Sequence, residues 1–453
     1  MAISTKPKAN ILDPAMLQDV VDGSVRITPE QGMRLFHEMP LPELGRWADA
    51  RCRALHGDHL RTYVIDRNIN YTNVCTAKCT FCAFRRDGHE DDAYTLSHQE
   101  LFQKVKEIVD IGGTQILMQG GMNPELPLSW YTELLEQLRI DFPTVHVHAF
   151  SPPEIIEFIH FFNTQGTSLE EKIRFVLKEL QTAGLQSIPG GGGEIFAPSV
   201  REKIGLGKCT AEVWLLVMRV AHELGMNTSA TMMFGHIEGI ADRVHHLDLV
   251  RSWQDRSIED FGLNGGGRYV SFISWPFQPD NTPLGRLPET AGDEIFPGDV
   301  VAQLDGAGHK SMHKEFGRRL RLAGSSSYLR TQAISRLYLD NLYSIGSSWV
   351  TMGPAIGQTA LMYGANDLGS VMLEENVVSA AGTTWCLDEA KLCRMIRGAG
   401  FVPAKRDNAY NVLAIHDGEN APDRRITDWS LLNKDRLIVH TEDCKEVPLT
   451  VSD

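Results

Sequence analysis

Asn70-Tyr-Thr-Asn-Val-Cys75-Thr-Ala-Lys-Cys79-Thr-Phe-Cys82-Ala-Phe84 places three cysteines within eight residues, separated by three positions and then by two. A loop with this spacing turns three thiolates toward one point, as an iron–sulfur cluster or a metal ion requires. Three ligands rather than four is the informative part. A cluster of four irons held by three cysteines leaves one iron free to bind something else. A structural zinc site is the competing reading, but zinc usually takes a second cysteine pair or histidines. Only His89 lies near enough in sequence to be a fourth ligand.

Upstream and downstream of this loop, short β-branched runs alternate with amphipathic segments of about 12–16 residues, the pattern of parallel βαβ units. Strands are expected at 63–69, 114–119, 145–149, near Gln186, at 228–234, 269–273, 348–351 and 370–373. Helices start at Ser97 and Ser168, each followed three residues later by the glutamate of a capping box, and at Thr210. Another helix is expected over 354–363. About eight βα repeats fit an α/β fold of the (β/α)8 TIM-barrel type, with a partly open barrel of six repeats as the alternative. Thr28-Pro29-Glu30-Gln31 is a capped helix start within an N-terminal helical cover, 1–60, whose first 22 residues look frayed. The barrel then occupies 61–405. Residues 284–327, rich in Gly and Pro and then basic, read as an insertion, and 406–453 as a C-terminal appendage with a β-like patch at 437–440.

Composition sets the class. The chain has 453 residues, 42% hydrophobic and 23% charged, values of a globular protein with a sizeable core. Its 44 basic and 58 acidic residues give a net charge of −14, which argues against nonspecific nucleic-acid or anionic-membrane binding. No apolar run suits a membrane span and no signal-peptide pattern opens the chain, so a cytoplasmic protein without nucleic-acid or membrane partners is expected. The five other cysteines, Cys52, Cys209, Cys386, Cys393 and Cys444, are scattered and form no disulfide framework.

In a parallel barrel the chemistry gathers at the C-terminal strand ends, where the unusual clusters fall. Gly120-Gly121 closes the second strand, as a tight turn or a backbone contact for a ligand. Gly190–Gly193 lacks the Lys-Ser or Lys-Thr of a P-loop, but Glu194 after it is placed to hold ribose hydroxyls. His236 and Glu238, two apart after a strand, would face one side. They suit polar contacts to cofactor or substrate, a metal pair lacking its third ligand, or a structural histidine. Asp367 and Glu374 flank the last expected strand, as solvated surface or as a general base.

The cysteine spacing after a first barrel strand resembles the signature of the radical S-adenosylmethionine superfamily. Within it, Ile69–Cys75 with Cys82-Ala-Phe84, Gly113-Thr-Gln-Ile-Leu-Met-Gln-Gly-Gly121 and His146-Val-His-Ala-Phe-Ser-Pro-Pro-Glu154 look like the cyclic dehypoxanthine futalosine synthases of menaquinone biosynthesis. The likeness continues through Ala230-Thr-Met-Met-Phe-Gly-His236, Trp275-Pro-Phe-Gln-Pro279 and Gly364-Ala-Asn-Asp367, over most of residues 26–410. The resemblance implies that Cys75, Cys79 and Cys82 hold a 4Fe-4S cluster whose open iron is chelated by S-adenosylmethionine. It implies Phe84 near the adenine, the backbone of Gly120-Gly121 at the methionine ammonium, and Glu194 at the ribose. The implied reaction abstracts hydrogen from the ribose C4′ of dehypoxanthine futalosine with a 5′-deoxyadenosyl radical. The sugar radical then adds to the benzoate ring, which loses an electron and a proton. Asp367 is the expected proton acceptor with Glu374 second, and flavodoxin or ferredoxin the expected type of electron donor. Aminofutalosine synthase-like or deazaflavin synthase-like chemistry, or a non-catalytic iron–sulfur barrel, are the alternatives. The longer segment around 258–267 and the additions at 284–327 and past Arg406 depart from the family pattern.

Overall fold

The strand that delivers the cysteine loop is also the seam of the sheet. The structure, a computed structural model, describes residues 10–263, 265–289, 319–383 and 385–429. β1 (Leu60–Val64) and β2 (Asp66–Ile69) are halves of one strand interrupted at Ile65. β2 pairs in parallel with β3 (Gln115–Met118), and the order continues through β4 (His146–Ala149), β5 (Ser187–Ile188) and β6 (Asn227–Phe234). β7 (Tyr269–Pro276), β8 (Ser344–Gly346) and β9 (Asp367–Ser370) follow. β9 then returns to β1 through Thr62 opposite Asp367 and Val64 opposite Ser370.

The expected eight parallel repeats are therefore present, in a curled 11-strand sheet with helices packed outside it. Two of its joints are thin: a single register pair, His148 opposite Ser187, links β4 to β5, and Gly346 opposite Asp367 links β8 to β9.

The predicted caps form. Thr28 with Gln31, Ser97 with Glu100 and Ser168 with Glu171 each close a capping box, so orphan N–H groups of three helices find partners within four residues. The N-terminal cover consists of helices Pro14–Asp22, Pro29–Glu38 and Leu41–His56. The first of these replaces the frayed start expected there, because Asp13 caps it and Leu17, Val20 and Val21 are buried.

Several expectations are corrected late in the chain. The strand expected at 348–351 is a helical turn, Trp349–Met352, and the strand lies earlier, at β8. Ser348 N donates to the buried Tyr328 hydroxyl at 2.7 Å, which turns the chain away from the sheet despite the β-branched residues that follow. The last strand is shifted from 370–373 to β9, so Asp367 lies inside it rather than before it. A helix, Ser325–Tyr338, starts where the insertion was expected to end. The core of that insertion, 290–318, and the 437–440 patch lie outside the described residues. The appendage boundary at 406 also moves. β10 (Val402–Arg406) pairs in parallel with β1, and β11 (Val412–Ile415) pairs antiparallel with β10, so this segment belongs to the sheet.

Candidate active site

The described residues of the barrel enclose two adjoining cavities that bear on function. The smaller, about 200 Å³, is lined by Cys75, Cys79, Cys82, Phe84, Gly120, Gly121 and Glu194, and also by Phe81, Glu154, Lys208 and Trp275. The predicted cysteine, glycine, aromatic and ribose-holding residues are thus brought together from three separate βα loops. Each is placed by a local device. Val74 and Cys75 are anchored to the 86-region by Cys75 N donating to Arg86 O at 3.1 Å, and Thr76 N donates to Met122 O at 3.0 Å. A Cβ at Gly121 would lie 2.0 Å from Val74 O, so only glycine lets the end of β3 approach the cysteine loop. Gly120 N donates to Glu154 Oε1 at 3.1 Å, and Tyr71 Oη donates to the same oxygen at 2.7 Å. Glu154 is a positioning residue that the sequence reading missed. Its spacing of three after Ser151, whose N and Oγ both donate to Oε2, is the signal that was available.

The glycine run before Glu194 is held by carbonyl contacts. Arg201 donates to Gly192 O and Gly193 O at 2.9 Å each, and Trp214 Nε1 donates to Gly191 O at 3.0 Å. Glu194 itself adopts φ +44°, a left-handed conformation that costs a residue with a Cβ roughly 1–2 kcal/mol. Its Oε1 accepts from Lys208 Nζ at 3.1 Å, whereas buried Oε2 has no donor among the described residues. Strain together with an unpartnered carboxylate oxygen in the cavity wall is what a ligand hydroxyl would resolve.

The thiols fit a cluster in the same sense. Burial pushes Cys79 up to about 12, so it ionises only against positive charge, which the iron of a cluster supplies. Phe81, directly before Cys82, has Lys208 Nζ 4.9 Å from its ring centre and lines the cavity with Phe84. The sequence reading overlooked it although it stands inside the quoted loop.

The larger cavity, about 340 Å³, fills the barrel interior below. It shares Gln119, Gly191, Trp275 and Val377 with the smaller one, so the two meet. Asp367 lines it. Four donors occupy that carboxylate: Arg406 Nε and Nη2 at 2.6 and 2.9 Å, Thr62 Oγ1 at 2.5 Å and Gly369 N at 2.8 Å. Arg406 stacks at 3.9 Å on Tyr410, and Asn408 stands beside them, so the C-terminal segment closes the cavity floor.

Three expected residues are placed elsewhere. Glu374 sits outside the cavity, ion-paired to Arg67 at 2.6 Å and Lys104 at 2.8 Å. His236 and Glu238 line neither cavity, so the expected cofactor or substrate contact is replaced by a structural role. Glu238 accepts from Gly235 N, His236 N and Arg243 Nε at 2.7 to 2.9 Å, and His236 Nδ1 accepts from Ile237 N at 2.8 Å. They lock the turn after β6, where Glu238 forms a buried ion pair with Arg243 at 2.8 Å.

Beside Asp66 and Asp367, the larger cavity is lined by Glu375, one residue beyond the predicted Glu374. Asn68 Nδ2 donates to its Oε2 at 2.7 Å, and Val377 N and Val378 N donate to Oε1 at 2.9 and 3.0 Å. Burial raises it above the ordinary carboxylate range. His148, also in the wall, is pushed down to about 3 by burial and is neutral.

Comparison with known sequences agrees with this geometry. A profile described as the Radical SAM superfamily matches residues 69–250, and one described as the CofH/MqnC C-terminal region matches 310–418. A cyclic dehypoxanthine futalosine synthase of Halalkalibacterium halodurans is 36% identical over 90% of this chain and 97% of its own. The chain belongs to the radical S-adenosylmethionine superfamily. The second profile places it with the CofH/MqnC proteins of that superfamily, and its match reaches the floor residues Arg406, Asn408 and Tyr410. An aminodeoxyfutalosine synthase of Thermus thermophilus is 35% identical over 90% of this chain and 98% of its own. Methylornithine synthase, 15% identical, shares the fold with a TM-score of 0.58 over 86% of this chain and 97% of that one. The expected 4Fe-4S cluster and S-adenosylmethionine are the cofactors of this radical enzyme, with Cys75, Cys79 and Cys82 as the residues that would hold them.

Proposed function

We propose that the chain cyclises dehypoxanthine futalosine to cyclic dehypoxanthine futalosine in the futalosine route to menaquinone. The observation that carries this is the junction of the two cavities along Gln119, Gly191, Trp275 and Val377, which puts a chamber of substrate size directly against the cysteine chamber. When bound, the cluster and S-adenosylmethionine supply a 5′-deoxyadenosyl radical able to take a hydrogen atom.

The chain's own residues then position and insulate. Glu194 Oε2 and Gly120-Gly121 orient the cofactor, and Trp275, in the wall of both chambers, covers the passage between them. Arg406, Asn408 and Tyr410 shut the floor against water. Glu375 accepts the proton that leaves the benzoate ring. It is better suited than Asp367, whose lone pairs are taken by a guanidinium and two further donors. Glu374 lies outside the chamber and takes no part. An external one-electron donor such as flavodoxin or ferredoxin, and a cytoplasmic location, belong to the same reading.

The test is anaerobic reconstitution with dithionite, S-adenosylmethionine and dehypoxanthine futalosine, followed by product mass analysis. Free 5′-deoxyadenosine with a cyclised product of the substrate is expected. An adenosyl adduct without free 5′-deoxyadenosine would instead indicate aminofutalosine synthase-type chemistry, and neither 5′-deoxyadenosine nor an adduct would reject both.

A further inference from the structure

β2 and β3 present a row of polar side chains to the barrel interior. Asp66 and Asn68 alternate inward along β2, and Asn70 continues the row to the cysteine chamber. Gln115, in register with Asp66, extends the row onto β3. Asp66, Asn68 and Gln115 all line the larger cavity and are nearly sealed from bulk water, with Asn68 6% and Gln115 5% exposed.

The two amides are used on one end only. Asn68 Nδ2 donates to Glu375 Oε2 at 2.7 Å, and Gln115 Nε2 donates to Asp66 Oδ2 at 2.8 Å. Those carboxyl groups fix the orientation of both amides, because the reverse would set a carbonyl oxygen against a carboxylate oxygen. The carbonyl ends are what remain. Among the described residues nothing donates to Asn68 Oδ1 or Gln115 Oε1. Leaving one buried acceptor unpaired is unfavourable by about 1–3 kcal/mol, and here two occur on adjacent strands of one cavity wall.

We propose that this wall is the sugar subsite of the substrate chamber, where hydroxyl groups of the ribose donate to Asn68 Oδ1 and Gln115 Oε1. The proposal rests on the substrate reading above and specifies which wall takes which part of the molecule. A wall that offers acceptors selects a ligand rich in donors. Sugar hydroxyls meet that need, whereas the benzoate carboxylate of the same substrate would face only oxygen atoms and is turned to the rest of the chamber. The row also climbs from the larger chamber through Asn68 to Asn70 in the cysteine chamber, so a ribose held on it lies on the side nearest the cofactor. Asn68 and Gln115 thereby act as specificity-determining residues, and a site built to pair a hydroxyl discriminates strongly against a ligand that lacks it.

The experiment measures binding of dehypoxanthine futalosine and of its 2′-deoxy and 3′-deoxy analogues to the reconstituted holoenzyme, for the wild type, Asn68→Leu and Gln115→Leu. At least one analogue is expected to bind the wild type about tenfold more weakly than the parent compound, and that ratio is expected to fall toward one in one of the variants. A merely structural role for the amides would weaken parent and analogue equally and leave the ratio unchanged, which would overturn the proposal. So would wild-type protein that binds both analogues as tightly as the parent, a result that needs no variant to fold. If the parent compound is cyclised but the ratios stay at one, the sugar subsite fails and the proposed function stands. If the parent neither binds nor reacts, the proposed function fails first.

Discussion

The cysteine chamber and the barrel floor are both closed by side chains from loops and strand ends, yet they are built in opposite ways. The chamber gathers its three thiolates from one eight-residue loop and meets them with glycines at two other strand ends. The floor is assembled from single residues far apart in sequence: Thr62 and Asp367 on strands, and Arg406, Asn408 and Tyr410 from the C-terminal segment. One is organised to leave binding capacity open, as at Glu194 Oε2, and the other to use every lone pair internally. Between these two places, open polar capacity goes with the cofactor chamber and saturation with the floor.

The sharpest break in this comparison is at the cysteines. Cys79→Ala is expected to abolish turnover and to reduce the iron content and brown absorbance of the reconstituted protein, because two thiolates cannot hold the cluster. Retention of full iron and activity would remove the chamber's assigned purpose.

Next in size is Glu375→Gln. Loss of a proton acceptor typically lowers the rate by 10²–10⁴-fold, and about 10²-fold in cyclised product is expected here, with 5′-deoxyadenosine still formed. The pH profile carries the sign. A base works ionised, so the rate should rise with pH through the Glu375 value, which burial has lifted above that of an ordinary glutamate. His148, already neutral above about 3, adds no limb at higher pH. In Glu375→Gln the rising limb should vanish, whereas Asp367→Asn should keep it.

The same contrast explains what the sequence made legible. Thiolates spaced within one loop, glycines ending β3 and capping boxes three residues long are local patterns, and all are found where expected. Glu375 was missed by one residue because both carboxylates lie in the loop beyond β9, where contacts made only in the fold, Asn68 and the amides of Val377 and Val378 for Glu375 and Arg67 and Lys104 for Glu374, decide which one faces inward. His236 and Glu238 misled for the opposite reason. A histidine and a carboxylate two apart look the same in sequence whether they meet a ligand or, as here, Arg243 and the turn's own amides. The floor was invisible because Asp367 and Arg406 are brought together only by β10 pairing with β1.

Arg406→Met tests the scaffold side. It leaves Asp367 buried, 1% exposed, without its guanidinium, and breaking a buried pair by removing one partner is expected to cost about 3–5 kcal/mol of stability. Denaturant unfolding of the apoprotein measures this. A change under about 1 kcal/mol would mean that water or another group replaces the guanidinium and that the floor is not sealed.

The smallest effect is expected at Glu374, and it separates the two neighbouring carboxylates. Glu374→Gln removes ion pairs with Arg67 and Lys104, but Arg67 keeps Glu107 at 2.6 Å and the Lys104 side chain is 23% exposed, so water reaches the freed ammonium. The expected loss is about 1 kcal/mol, with cyclisation unchanged. Burial opposes ionisation of Glu374, but hydrogen bonds from Lys104, Asn376 and Arg67 outweigh it and hold its value below the usual glutamate range. A carboxylate depressed in the folded state stabilises above its unfolded value and loses that contribution as pH falls through the folded one. The stability difference between wild type and Glu374→Gln should therefore be present at pH 7 and shrink in acid, below the ordinary glutamate range. Glu375, raised by burial, has the opposite sign: keeping its proton longer than the unfolded chain does, it lowers stability as pH rises from the ordinary glutamate range to its own value. Opposite pH slopes at these adjacent residues separate the ion-paired carboxylate outside the chamber from the buried one in its wall, and matching slopes would contradict the placement on which the proton acceptor was assigned.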